Sequence, residues 1–119
     1  MPGLHLTADL YQCRCKADRL VDAQQLGRWC LAATQAAGMP VRGHVFSGTD
    51  AGVSVALLLG ASHVCLHTRR QQRSAAIDIY VENSEGNRSA AARQLMAALI
   101  EALQPEWTEQ RSLDRGDEQ

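Results

Sequence analysis

The chain has 119 residues, enough for one domain with a real but thin core. Its 12 lysines and arginines nearly balance 13 aspartates and glutamates, so it lacks the strong field that would recommend nucleic acid or an acidic membrane as partner. No apolar run approaches the roughly 20 residues needed to cross a bilayer, and no signal peptide is evident, so a soluble, cytoplasmic protein is expected.

Taken in chain order, residues 4–11 alternate apolar and polar side chains, with Leu4, Leu6, Ala8 and Leu10 on one face, and predict a strand. The next segment holds Cys13 and Cys15, too close to pair with each other easily; Cys30 and Cys65 lie in apolar stretches, and none of the four reads as part of a disulfide frame. Asp22 caps a helix predicted to run to about Ala37, with Leu26, Trp29, Cys30 and Ala33 at helical spacing. Gly38 stops it and Pro40 forbids its continuation.

Residues 41–46 predict a short strand and residues 47–52 a turn. Three strands follow, at 53–59, 63–68 and 75–81, the last two joined by the polar stretch 69–73. After a loop at 84–87, residues 89–103 form an Ala-rich amphipathic helix that ends before Pro105. Residues 1–107 form a single domain, and the polar tail 108–119 is expected to fray.

Strands joined by tight turns, with two amphipathic helices, imply an α+β fold of two layers: an antiparallel sheet with both helices on one face. The strand at 53–59 is apolar on both faces, since Ala56 and Leu58 alternate with Val55, Leu57 and Leu59. A chain this short has no spare element to cover the second face, so a homodimer packing sheet against sheet into a sandwich is expected.

The segments Gly52-Val53-Ser54, Ser62-His63, His67-Thr68 and Ala75-Ala76-Ile77-Asp78, in this order and spacing, resemble the self-cleaving core of the bacterial S-adenosylmethionine decarboxylase proenzymes. The likeness extends from Gly3-Leu4-His5-Leu6 and Tyr11-Gln12-Cys13 through the last helix. It implies that the chain is cut between Ala61 and Ser62, and that Ser62 becomes a pyruvoyl cofactor used for Schiff-base decarboxylation in polyamine (spermidine) biosynthesis. Ser54 and His67 resemble the processing pair, supplied across the dimer interface.

The chemistry agrees with that placement. The Ser62 hydroxyl attacks the Ala61 carbonyl to give an ester, and β-elimination then parts the chain. Both steps need a base, for which His67 is the candidate, and a donor to the developing oxyanion, for which Ser54 is the candidate. Five strand residues at about 3.3 Å each separate Ser62 from His67 by roughly 16 Å. The two cannot meet within one chain, so His67 is expected to serve the partner's serine.

Departures from the family pattern fall on the substrate side. Ala61 replaces the usual glutamate before the cut. Arg69-Arg70-Gln71 replaces Trp-Pro-Glu, and leaves Gln71 as a neutral stand-in for a ribose ligand and Arg69 with Arg70 either gripping a substrate carboxylate or solvated. Glu82 stands where the family has its proton-donating cysteine; it offers a general acid there, or a solvated carboxylate at a strand end. Phe46 is the chain's single phenylalanine and the one remaining adenine-flanking candidate, the second expected one being replaced near Gly48.

No metal is expected. Cys13-x-Cys15 lacks a second ligand pair, and His63, Cys65 and His67, two apart on one strand face, splay outward. The alternatives left open are pyruvoyl-dependent decarboxylation of ornithine or arginine, and an uncleaved, non-catalytic paralogue.

Overall fold

The computed structural model describes residues 2–116. The elements are β1 (Gly3–Cys13), α1 (Asp18–Val21), α2 (Ala23–Ala36), β2 (Gly43–Thr49), β3 (Gly52–Leu58), β4 (His63–Arg69), β5 (Ser74–Glu82), α3 (Ser89–Leu103) and β6 (Pro105–Arg115). The strands form one sheet in the order β2-β3-β4-β5-β1-β6, every neighbouring pair antiparallel.

Period-2 alternation decides which side chains are covered. Leu4, Leu6, Ala8 and Leu10 of β1, Val53, Val55 and Leu57 of β3, Val64 and Leu66 of β4, and Ile77 and Ile79 of β5 are all buried. Against them pack the apolar stripes of α2 (Leu26, Cys30) and α3 (Leu95, Met96, Leu99, Leu103), α2 over β2 and β3, α3 over β1 and β5. Asp22 caps α2, its carboxylate accepting from the Gln25 N–H at 3.0 Å. The α+β reading of a single antiparallel sheet with both long helices on one face therefore holds.

Two local expectations are corrected. The tail from Thr108 does not fray: residues 105–115 are β6, paired with β1 from Cys13↔Pro105 to Gly3↔Arg115. This strand is held by its backbone ladder and buries almost nothing on either face, which is why its polar sequence hid it. The turn expected over 47–52 contracts to Asp50 and Ala51, because β2 extends to Thr49, whose hydroxyl accepts from the Ala51 N–H. Residues 117–119 of the predicted tail lie outside the described residues.

Two buried contacts fix the middle of the sheet. A Cβ on Gly52 would lie 2.0 Å from the Thr68 carbonyl oxygen, so only glycine lets β3 start there. Thr68, itself buried, donates to the Leu20 carbonyl at 2.7 Å and accepts from the Val53 N–H at 2.9 Å, tying α1 to β3 and β4. Gly52→Ala is expected to lower stability by about 3 kcal/mol, since the obstacle is backbone that cannot swing aside. A urea unfolding midpoint equal to that of wild type would contradict this.

The cysteines are free. Burial pushes the Cys30 thiol up to about 12 and, with the neighbouring Cys15, the Cys13 thiol up to about 11, from an ordinary 9.0. A thiol whose folded pKa is raised costs nothing below its unfolded value and favours the unfolded chain above it, where only the unfolded form ionises. Stability is therefore expected to fall between about pH 9 and pH 12, read as a decline in the urea midpoint across that window that is smaller in a Cys30→Ala, Cys13→Ala variant, where the raised thiols of Cys15 and Cys65 remain.

Candidate active site

The face of the sheet away from the helices carries the chemistry. Register sets it out in rows: Leu58, His63, Tyr80 and His5; then Ala56, Cys65, Asp78 and Thr7; then Ser54, His67, Ala76 and Asp9. Ser54 and His67 are direct cross-strand neighbours, and Ser54 Oγ is hydrogen-bonded to His67 Nδ1 at 2.9 Å. The two residues read from the sequence as a processing pair are thus a pair in the fold, and both are exposed.

Ser62 stands at the far end of β4, at the tip of the β3–β4 hairpin. The turn closes through the Leu59 N–H to the Ser62 carbonyl at 2.9 Å and passes through Gly60 at φ +82°, a left-handed conformation suited to glycine. Gly60 and Ala61 are exposed, whereas Ser62 is only 4% exposed. Its Oγ accepts from the Glu82 backbone N–H at 3.0 Å. The Ala61–Ser62 peptide therefore lies where the chain can part without breaking the sheet, next to a hydroxyl already fixed in place.

The remaining sequence candidates divide. The Glu82 carboxylate accepts from the Ser84 N–H at 3.1 Å and the Ser84 hydroxyl at 2.8 Å, so it caps the following turn, while its backbone is what touches Ser62. Arg69 continues the exposed edge of β4 two residues beyond His67. Arg70 and Gln71 lie in the following turn, which together with Asp50 and Ala51 lines a large open hollow. Phe46 is on the other face: it pairs with the buried Val55, stacks on His44 at 4.6 Å, and covers Gly27 of α2, where a Cβ would meet its ring at 2.3 Å. It is not brought together with Ser54 and His67. Cys65, read as apolar in its surroundings, is half-exposed on the open face beside Asp78, and burial and that carboxylate raise its thiol pKa.

One constellation went unread. Asp78 Oδ1 lies 2.7 Å from His5 Nε2 and 3.4 Å from His63 Nε2, so one carboxylate bridges strands β1 and β4 across β5. Alternation alone puts each of the three on a solvent face. Only the register, which no local pattern sets, brings them together. Arg73 is similar: it hydrogen-bonds the Cys13 carbonyl at 2.7 Å and the Cys15 carbonyl, so this arginine of the polar turn is a structural clamp.

With this geometry, the sequence pattern of the S-adenosylmethionine decarboxylase family matches residues 4–116. The chain belongs to that family. It is 29% identical over 116 residues to the S-adenosylmethionine decarboxylase proenzyme of Hydrogenobaculum sp., covering 96% of this chain and 81% of that protein. Against the proenzyme of Aeropyrum pernix the identity is 29% over 113 residues, covering 95% and 83%. The crystal structure of the adenosylmethionine decarboxylase from Aquifex aeolicus superposes with a TM-score of 0.84 at 24% identity, over 98% of this chain and 92% of that one, and shares the fold. Family membership thus rests on the whole length of the domain, including the β6 strand that extends it.

Proposed function

We propose that this protein is a self-processing, pyruvoyl-dependent S-adenosylmethionine decarboxylase whose cofactor is formed from Ser62 after cleavage at Ala61–Ser62. The observation that carries the reading is Ser62 itself: a buried hydroxyl, held by the Glu82 N–H, on the last residue of an exposed hairpin tip. These residues fit the group. The new chain end would stay anchored because β4 remains paired to both β3 and β5 on either side of it. A pyruvoyl group in that place supplies a ketone that condenses with the substrate amine and draws off the electrons left by departing carbon dioxide.

The chain's own residues account for the cleavage. Ser62 Oγ attacks the Ala61 carbonyl carbon, its proton passing to a base, and the C–N bond yields to a C–O ester. Abstraction of the Ser62 α-proton then expels the Ala61 carboxylate and parts the chain, and water hydrolyses the dehydroalanine so formed, through its imine, to the pyruvoyl ketone with release of the Ser62 nitrogen as ammonia. The His67 imidazole, oriented by Ser54, is the base and proton carrier. With about 16 Å of strand between Ser62 and His67, the pair acts on the Ser62 of a second protomer.

A homodimer is supported by the surface. Val45, Leu58, Trp107 and Leu113, the exposed large hydrophobics among the described residues, are 52–64% exposed and all lie on the open sheet face by register. Face-to-face packing covers them and brings each Ser54–His67 pair toward the opposite chain. Among the described residues no helix is long and apolar enough to cross a membrane, and four free thiols suit the reducing cytoplasm. Production of decarboxylated S-adenosylmethionine would feed polyamine synthesis.

The test is direct. The purified chain should resolve into two fragments on a denaturing gel and release carbon dioxide from S-adenosylmethionine, with ornithine and arginine inert. A single uncut band under all conditions, or release from ornithine or arginine instead, would overturn the reading.

A further inference from the structure

The two edges of the sheet are not alike. β6, the edge beside β1, opens on Pro105 and carries Glu106, Glu109, Arg111, Asp114 and Arg115. Charges and proline on an edge strand keep a second chain from pairing with it. β2, the opposite edge, reads Gly-His-Val-Phe-Ser-Gly-Thr and has no Asp, Glu, Lys, Arg or Pro. It is the unguarded edge.

Hydrogen-bond parity tells which of its groups are free. The Leu59 N–H donates to the Ser62 carbonyl, so the odd-numbered residues of β3 turn their backbone groups toward β4. The even-numbered ones bond β2, where they face Gly43, Val45, Ser47 and Thr49. His44, Phe46 and Gly48 therefore point their N–H and C=O groups outward. An antiparallel copy of β2 centred on Phe46 sets Phe46 opposite its counterpart and His44 opposite Gly48, and satisfies all of these groups on both strands. Gly48 has no side chain, so the His44 ring opposite it has room.

The flanks of the edge carry opposite charge. α2 begins beside Gly48, where Ala23 lies close, and passes Phe46 at Gly27. At the Gly48 end, Asp18, Asp22 and Asp50 surround one open hollow. At the other end, Arg28 and Leu31 line a second hollow with His44 and Phe46. None of these three aspartates and neither Arg28 nor His44 forms an ion pair among the described residues. A two-fold axis through Phe46 sets the acidic hollow of each copy against Arg28 of the other. The two α2 helices then lie about three strand spacings apart, about 14 Å, a gap that long side chains reaching from both sides fill.

We propose that β2 is a self-association edge, where two copies of this chain join antiparallel about Phe46 and their six-stranded sheets become one continuous sheet. The contact uses the rim of the sheet and leaves the open face free. It therefore adds to face-to-face packing and doubles whatever assembly that packing gives. It stands independently of the decarboxylation chemistry.

Light scattering on wild type beside Arg28→Glu, His44→Pro and Arg93→Glu tests this. Arg28→Glu turns the basic end acidic, against the partner's aspartates. His44→Pro removes an outward N–H and sets a ring in the path of the second strand. Both positions are exposed, and the lost N–H bonds nothing in β3, so the protomer should keep its circular dichroism spectrum. Each of the two variants should show half the wild-type mass, with self-association weakened about tenfold or more. Arg93→Glu, the same charge change at an exposed position of α3, should match wild type. A folded Arg28→Glu or His44→Pro protein of wild-type mass overturns the proposal, as does an equal loss of mass in Arg93→Glu.

Discussion

Replacing Ser62 with alanine leaves a single uncut chain of 13.0 kDa and no decarboxylase activity. The hydroxyl is the group placed to attack the Ala61 carbonyl, and it is also the source of the ketone, so its loss removes both functions at once. The fold should survive. Ser62 is 4% exposed and alanine is smaller, so nothing clashes. The cost is one hydrogen bond from the Glu82 N–H, about 1–2 kcal/mol for the donor left unpaired, against the 5–15 kcal/mol typical of a domain. Intact mass, circular dichroism and a urea midpoint close to that of uncut wild type separate failure of chemistry from failure of folding. A folded Ser62→Ala protein that still releases carbon dioxide would remove the pyruvoyl group from the mechanism.

Much of this site was legible because its residues lie in short runs whose spacing survives folding. Ser54, Ser62 and His67 fall within one hairpin, so their order along the chain carries over to their order in space. The roles of Ser62 and His67 came from the family resemblance, and strand rise alone gave their separation along the chain. The Ser54–His67 contact depends instead on hairpin register, which the resemblance implied and the two-residue turn at Asp50 and Ala51 helps to fix for β2 and β3. The Asp78 bridge to His5 and His63 depends on β1 pairing with β5 across most of the sequence, which no local pattern encodes. Phe46 shows the converse limit. A lone aromatic in a strand can face either way, and the space above Gly27, open only because that helix residue lacks a side chain, draws it to the helix side. The β6 strand was missed because burial, the signal that alternation reports, is nearly absent from it.

Mixing variants should restore cleavage in a pattern that only a shared site produces. His67→Ala and Ser62→Ala chains are each expected to stay uncut alone. Refolded together at equal amounts, random pairing puts about half of the His67→Ala chains in heterodimers, by the two-fold arithmetic of a closed dimer. There the intact Ser62 of the His67→Ala chain faces the intact His67 of the other, so about half of those chains should be cut while no Ser62→Ala chain is. Ser54→Ala should behave like His67→Ala and be rescued by Ser62→Ala, because Ser54 Oγ holds His67 Nδ1 at 2.9 Å within the same protomer and the two travel as a unit. A Ser54→Ala and His67→Ala mixture should gain nothing, since every site in it lacks half of the pair. Mass spectrometry distinguishes the three chains and reads out which one has been cut. Absence of cut His67→Ala chains in a mixture shown to contain heterodimers would place the base within the same protomer and contradict the strand geometry that separates it from Ser62.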